Sequence, residues 1–191
     1  MHVVWFDDCD GNFEVYYKRS PDEGLSCGTD TRLTNSNGTS WFAFVAAWGS
    51  DVHVIWMDDR DGNFEIYYKR SADGGLTWSA DARLTNDTAI SQFPSVAVSG
   101  TIVNVIWQDS RDSNTEIYYK RSTDNGLSWG ADTRLTNNPA GSIFASVSAS
   151  GSIVNVLWEE YRDGNAEIYN KQSADSGLTW SADARLTNDP A

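Results

Sequence analysis

A short motif of carboxylates, arginine and asparagine recurs along the chain and has the residue types most able to do chemistry. In its second copy it reads Asp-x-Arg-Asp-Gly-Asn-x-Glu, from Asp58 to Glu65. Carboxylates can act as acids, bases or ligands of hard cations, and a guanidinium can grip a carboxylate through two bonds. The candidate ligand-binding residues are Asp58, Arg60, Asp61, Asn63, Asp109, Arg111, Asp112, Asn114, Glu160, Tyr161, Arg162, Asp163 and Asn165.

The first copy of the motif departs from the others because Cys9 stands where they have arginine. Its remaining members are Asp7, Asp10, Asn12 and Glu14. We expect the loops between successive repeats to lie near the motif, and these loops contain Asn35, Asn86, Asp87, Asn137, Asn138, Asn188 and Asp189.

Three interpretations of the motif remain open. Each arginine can pair locally with an Asp58-type or Asp61-type carboxylate around a simple Asp-Gly-Asn turn. The runs from Asp8 to Glu14 and from Asp59 to Glu65 resemble calcium loops locally, although the full loop pattern is absent. No cofactor is required, and calcium is kept as a hypothesis. Finally, Arg60, Arg111 and Arg162 can form a ring that holds a carboxylated sugar.

The elements that position the motif repeat every 51 residues, as Trp5, Trp56, Trp107 and Trp158 show. A fixed period of this size is typical of propellers and solenoids. In the second copy we predict strands over 42–47, 52–57 and 65–70, followed by a fourth that runs on towards Leu84 and Thr85. The third strand alternates polar and apolar residues, so we expect it to be half-buried. Tight turns of Gly, Asn and Asp separate the strands.

Four short antiparallel strands make one propeller blade. The sequence therefore predicts an all-β fold: a β-propeller, or a segment of one, with four antiparallel four-stranded blades. The first blade lacks its inner strand. We expect a single domain over residues 1–191, with blades at approximately 1–37, 38–88, 89–139 and 140–191.

An eight-residue pattern, Ser-x-Asp-x-Gly-x-Thr/Ser-Trp, follows the third strand of each blade. We expect its Asp to accept backbone N–H bonds, its Gly to allow a positive φ and its Trp to bury apolar area. The residues of this structural motif are Asp22, Gly24, Asp73, Gly75, Trp78, Asp124, Gly126, Trp129, Asp175, Gly177 and Trp180. The first copy ends in Cys27 instead of Trp.

This pattern resembles the Asp box, or BNR repeat, of the sialidase superfamily, and the resemblance covers essentially the whole chain. It implies that the Asp boxes lie on the lower face and that ligands bind on the opposite face, which carries the Arg-Asp-Gly-Asn turns. Sialidases also have an Arg-Ile-Pro segment, three non-equivalent arginines, a Tyr–Glu nucleophile pair and an Asp acid/base. The Arg-Ile-Pro segment is absent here. Four near-identical blades supply like groups, whereas catalysis needs groups of unlike pKa.

The sequence thus predicts a non-catalytic binding or scaffold module for a glycan or cation, with a sialidase-type glycoside hydrolase as the alternative. The formal charge of −13 disfavours nucleic acid or an anionic membrane as a partner. We expect the parent protein to be secreted or on a bacterial cell surface. If four blades do not close a ring, exposed strand edges favour self-association. Cys9 and Cys27 lie at opposite ends of a strand, so we expect free thiols.

Overall fold

The computed structural model describes residues 1–188, and their regular structure consists of strands. Asp189, which belongs to the last predicted loop, lies outside the described residues. No helix in the described part of the chain is long and apolar enough to cross a bilayer. The strands are β1 (His2–Asp7), β2 (Glu14–Arg19), β3 (Thr31–Arg32), β4 (Ser40–Trp48), β5 (Asp51–Asp58), β6 (Glu65–Ser71), β7 (Ala82–Arg83), β8 (Ser91–Ser99), β9 (Ile102–Asp109), β10 (Glu116–Ser122), β11 (Thr133–Arg134), β12 (Ser142–Ser150), β13 (Ile153–Glu160), β14 (Glu167–Ser173) and β15 (Ala184–Arg185).

The strands form four antiparallel sheets whose order follows the sequence. The first blade is β1-β2-β3, and the second, third and fourth blades are β4–β7, β8–β11 and β12–β15. This confirms the predicted all-β fold, with three strands in the first blade and four in the others. The inner three strands of the second blade each extend one or two residues beyond the prediction at one or both ends.

The fourth strand of each blade is shorter than predicted. In the second blade it ends at Arg83, although Leu84 N still donates to Ile66 O at 2.7 Å. The Thr85 hydroxyl then accepts the N–H of Ile66 at 2.8 Å, so a side chain replaces the next bond of the ladder. The predicted half-burial of the third strand is also wrong at its start, where Glu65, Ile66, Tyr67 and Tyr68 are all buried.

The chain divides into two compact units, with the boundary between Thr88 and Ala89. The first unit holds the first and second blades and the second unit holds the third and fourth. In the first unit Val15 and Tyr17 pack with Val52, Val54 and Trp56. In the second unit the equivalent residues pack together in the same way, namely Ile117, Tyr119, Val154, Val156 and Trp158. Each unit therefore has its own core, built where β-branched and aromatic strands of two blades face each other.

A bulge interrupts each inner strand at the same place. In β4 the pairing with β5 shifts between Trp41 and Phe44, and Phe42 has φ of 50°. Phe93 and Phe144 have φ of 50° and 52° at the matching bulges of β8 and β12. Positive φ is costly for a bulky side chain, so three copies of it indicate a feature that the surrounding sheet enforces.

The Asp boxes form the hairpins that the sequence predicts. Asp73 accepts the N–H groups of Leu76 and Thr77 at 3.0 and 2.9 Å, and the Ser71 hydroxyl donates to it at 2.7 Å. These bonds lower the pKa of Asp73, with those from Thr77 the strongest cause. Asp22, Asp124 and Asp175 repeat the arrangement.

Within each unit a tyrosine of the earlier blade packs on the Asp box of the later blade. The ring of Tyr17 meets Trp78 edge to face with centroids 4.8 Å apart, and Tyr119 meets Trp180 at 5.0 Å. Gly75 makes this approach feasible, because a Cβ there would lie 1.8 Å from the Tyr17 hydroxyl oxygen. The Asp-box glycine thus has two roles, a positive φ and room for the neighbouring blade.

Candidate functional site

The predicted ligand-binding turn of the second blade is built on Asp58, the last residue of β5. Its carboxylate is completely buried and accepts bonds from the indole of Trp56 at 3.1 Å and the hydroxyl of Ser40 at 2.7 Å. Arg60 closes over the same carboxylate through Nε at 2.9 Å and Nη2 at 2.5 Å. Burial alone raises the pKa of Asp58, but the bonds from Arg60, Ser40 and Trp56 outweigh it and hold the pKa below its usual value.

Arg60 has a second carboxylate partner and an aromatic floor. Its Nη1 bonds Asp81 Oδ2 at 2.8 Å, and its guanidinium lies 4.4 Å from the centre of the Tyr67 ring. Lys69 binds the other oxygen of Asp81 at 2.8 Å. Only 22% of the Arg60 side chain is exposed. The charge of this arginine is therefore neutralised inside its own blade.

Asp61 does not pair with Arg60. The interpretation that each arginine pairs with the Asp61-type carboxylate of its own turn is therefore wrong. It accepts the hydroxyl of Tyr67 and a bond from Arg83 Nη1 at 3.0 Å. Arg83 also bonds the buried Glu65 at 2.8 Å, and the amide of Asn63 bonds Glu65 at 3.3 Å. These side chains form a second closed network beside the first.

The third and fourth blades copy both networks. Arg111 binds Asp109 and Asp132 at 2.6 and 2.9 Å and lies over Tyr118 at 4.5 Å. In the fourth blade Arg162 binds Glu160 and, at 2.8 Å, Asp183, and it lies over Tyr169 at 4.3 Å. The remaining predicted residues occupy the equivalent positions of the second network, namely Asp112, Asn114, Asp163 and Asn165.

Tyr161 is the one predicted residue without a counterpart in the other turns. Its hydroxyl donates to Glu159 at 2.8 Å, and both groups are exposed at that bond. It does not pair with Glu160, which is occupied by Arg162 and the indole of Trp158. The bond to Glu159 raises the pKa of the Tyr161 hydroxyl.

The turn of the first blade has no counterpart of Arg60, because Cys9 stands at that position. Asp7 accepts the N–H of Cys9 at 2.9 Å, while the Cys9 thiol lies 3.2 Å from the Tyr16 hydroxyl. Arg32 binds Asp10 and Glu14 at 3.0 and 2.8 Å, as Arg83 does in the second blade. Cys9 and Cys27 are free and exposed, as predicted.

Residues 33–191 match the BNR repeat-like domain family. The chain belongs to that family. No curated protein matches its sequence. Among solved structures it is similar to Trypanosoma rangeli sialidase in complex with 2,3-difluorosialic acid, at 16% identity and a TM-score of 0.62 over 88% of this chain and 32% of the sialidase. It is also similar to a mutant of NanB sialidase from Streptococcus pneumoniae, at 14% identity and a TM-score of 0.55, over 90% of this chain and 32% of the sialidase.

A third structure of similar fold is Zg3597, a family 117 glycoside hydrolase from the marine bacterium Zobellia galactanivorans. It shares 11% identity at a TM-score of 0.58, over 93% of this chain and 57% of the hydrolase. At these identities the similarity establishes the propeller-type fold alone. The chain spans about a third of the length of the sialidases, 32% in both cases.

The BNR repeats do not bring a metal-binding group together in residues 1–188, where we find no cluster of three or more His, Cys, Asp or Glu side chains able to hold an ion. Asp61 and Glu65 of the calcium-like run bind Arg83, and Asp59 accepts the N–H of Thr39 at 2.6 Å. Calcium binding stays a prediction of the sequence alone.

Sequence reasoning missed two sets of residues at this end of the BNR blades. The first set contains the arginine that binds the Asp61-type and Glu65-type carboxylates, such as Arg83, and the Asp that binds the Arg60-type arginine, such as Asp81. Their regular repeat along the chain was the signal available in the sequence. The second is a run of aromatic rings in the first unit, namely Phe6, Phe13, Trp41, Phe42 and Phe64. Their signal was that most of them are replaced in the later blades.

Proposed function

We propose that this chain is a non-catalytic BNR-repeat module that binds a glycan at the end of the blades bearing the Asp58-type turns. The observation that carries the proposal is the state of Arg60, Arg111 and Arg162. Each is held by two carboxylates and a tyrosine ring of its own blade. None of the three is available to a substrate carboxylate without breaking a partly buried ion pair.

The cost of breaking such a pair argues against catalysis through these groups. Removing the partner of a buried charge costs about 3–5 kcal/mol. A substrate that took Arg60 from Asp58 would also leave the buried Asp58 carboxylate without its cation. Moreover, the three networks are equivalent, whereas an acid and a base need environments that move their pKa values apart.

The alternative is a sialidase-type glycoside hydrolase, and the exposed Tyr161–Glu159 bond is the observation that favours it. A tyrosine beside a carboxylate resembles the nucleophile pair expected of sialidases. However, Tyr161 could act only if Glu159 took its proton as a general base, and the neighbouring Arg162 is already bound to Glu160 and Asp183 instead of being open to a substrate carboxylate.

A glycan array run beside a fluorogenic sialoside assay tests the proposal. We expect glycan binding with no turnover of the sialoside. Turnover that is lost in Tyr161→Phe would contradict the non-catalytic proposal and favour the hydrolase. Absence of binding to every glycan on the array would contradict the binding function itself.

A further inference from the structure

The four blades differ most where aromatic rings gather in the first unit. Phe42 and Phe6 lie 5.8 Å apart between centroids, Phe6 and Phe13 5.9 Å, Phe13 and Trp41 5.4 Å, and Trp41 and Phe64 5.9 Å. We call these five rings the aromatic chain. They form one continuous series of ring contacts beside the turns of the first and second blades.

The blade architecture does not require four of these rings. The positions of Phe6 and Phe13 hold Gln108 and Thr115 in the third blade, and Glu159 and Ala166 in the fourth. The position of Trp41 holds Gln92 or Ile143. Phe42 differs from them, because Phe93 and Phe144 repeat it at the bulges of the later blades. The rings that line up with Phe42, and not Phe42 itself, are therefore an addition to the fold of the first unit.

Two of the rings reach solvent. Phe6 is 42% exposed and Phe42 37% exposed. Phe42 sits at the bulge of β4 with its backbone held at positive φ, so its direction is fixed by the sheet. Rigid exposed aromatic side chains offer large contact area at little cost in conformational entropy.

The charge beside these rings favours an uncharged ligand. Asp7, Asp8 and Cys9 follow Phe6 directly, and Cys9 replaces the arginine that neutralises the equivalent turn of the second blade. The neighbouring guanidinium of Arg32 is already bound to Asp10 and Glu14. A sugar carboxylate here would meet carboxylates without a free cation, which disfavours it.

We propose that Phe6 and Phe42 form a stacking platform for the pyranose ring of an uncharged glycan, with the adjacent carboxylates accepting its hydroxyl groups. The C–H face of a pyranose is apolar and packs on an aromatic ring, while its rim of hydroxyls donates to carboxylates. This inference rests on the glycan-binding function proposed above and names its site and ligand class. The platform lies on the first unit and uses none of the repeated arginines.

Isothermal titration of the full chain with neutral oligosaccharides (cellohexaose, chitohexaose and galactan fragments) and with sialyllactose tests the platform. The variants are Phe6→Leu and Phe42→Leu, which keep apolar volume but remove the flat ring. Phe144→Leu is the matched control, because Phe144 occupies the same bulge of the fourth blade and is 62% exposed. Thermal melting of each variant confirms that it is folded.

We expect a neutral oligosaccharide to bind, with Kd raised about tenfold by each of Phe6→Leu and Phe42→Leu and unchanged by Phe144→Leu, since tenfold equals about 1.4 kcal/mol. Binding that survives both platform variants would overturn the site and leave the glycan-binding function standing. Preference for sialyllactose would overturn the uncharged class. Absence of any binding, on the array as well, would overturn the proposed function and this inference with it.

Discussion

The turns of the first and second blades have carboxylates at equivalent positions, but only the second blade has an arginine, Arg60, between them. Asp7 and Asp30 stand where the second blade has Asp58 and Asp81. With Arg60 present, Asp58 is completely buried and Asp81 is 21% exposed, whereas beside Cys9 the side chain of Asp30 is 55% exposed. Arg60 and the inner strand β4, whose Ser40 donates to Asp58, together enclose the turn of the second blade, and the first blade, which has neither, has a more open and more acidic surface.

The largest effect is expected from Asp58→Ala. The change leaves the buried Trp56 indole without its acceptor and breaks the Arg60 pair, so the free energy of unfolding should fall by about 3 kcal/mol. Asp7→Ala is the matched control and should cost less than about 1 kcal/mol, because Asp7 faces no arginine. Urea unfolding of both variants measures the difference, and equal losses would contradict the role given to Arg60.

The second-largest loss of stability is expected from Gly75→Ala. The new Cβ would meet the Tyr17 hydroxyl at a residue with φ of 86°, so strain and overpacking together should cost about 2–3 kcal/mol. Gly24→Ala is the control in the first blade, because its φ is also positive but its Cβ would lie 3.4 Å from the flexible Met1 side chain. Calorimetric Tm values decide the comparison. Similar losses would mean that the contact with Tyr17 contributes nothing.

Acid should destabilise both blades through their Asp boxes. Bonds from Ser26 lower the pKa of Asp22 to about 2, and those from Thr77 lower that of Asp73 further. A carboxyl with a lowered folded pKa contributes stability that is complete above its unfolded value near 4 and is lost as pH falls through the folded value. Tm should therefore decline from about pH 4 to pH 2.

Matched variants separate the Asp boxes from other carboxyls in this acid transition. Asp22→Asn and Asp73→Asn should each flatten the decline of Tm, and Asp73→Asn should do so more, because the pKa of Asp73 is lowered further. A decline that neither change alters would show that other carboxyls control acid unfolding.

The smallest effect is expected from Cys9→Arg, which restores the arginine of the other blades. The new guanidinium should reach Asp7 and Asp30 and stack on Tyr16, raising the free energy of unfolding by about 0.5 kcal/mol, as exposed pairs do. Cys9→Ser is the control for loss of the thiol. A urea midpoint for Cys9→Arg at or below that of Cys9→Ser would contradict the comparison.

Much of the fold followed from local sequence, because the period, the strand composition and the Asp box all act within a few residues. The burial at the start of β6 and the end of β7 were harder to predict. There Glu65 is buried by its own partners and Thr85 substitutes a hydroxyl for a backbone group. Side-chain bonding of this kind does not alter the alternation from which strands are predicted.

The candidate site was predicted by residue type, and the pairing of Arg60 with Asp58, two residues away, was one of the open interpretations. The second partner, Asp81, was not predicted, because a strand and a hairpin separate it from Arg60. The meeting of Phe6 with Phe42 depends on a bulge at positive φ, which no local propensity of phenylalanine indicates.

The contact of Tyr17 with the Trp78 hairpin is directional, since the earlier blade of the unit supplies the tyrosine and the later blade the Asp-box tryptophan, as Tyr119 and Trp180 do in the second unit. Directional joints of this kind polymerise head to tail unless their ends are changed. Asn170 replaces the tyrosine in the fourth blade, and Cys27 replaces the tryptophan in the first. A second copy added head to tail would bring an amide against a thiol, without the packing of ring on ring. Asn170 and Cys27 therefore each disfavour this joint on the flank that carries them.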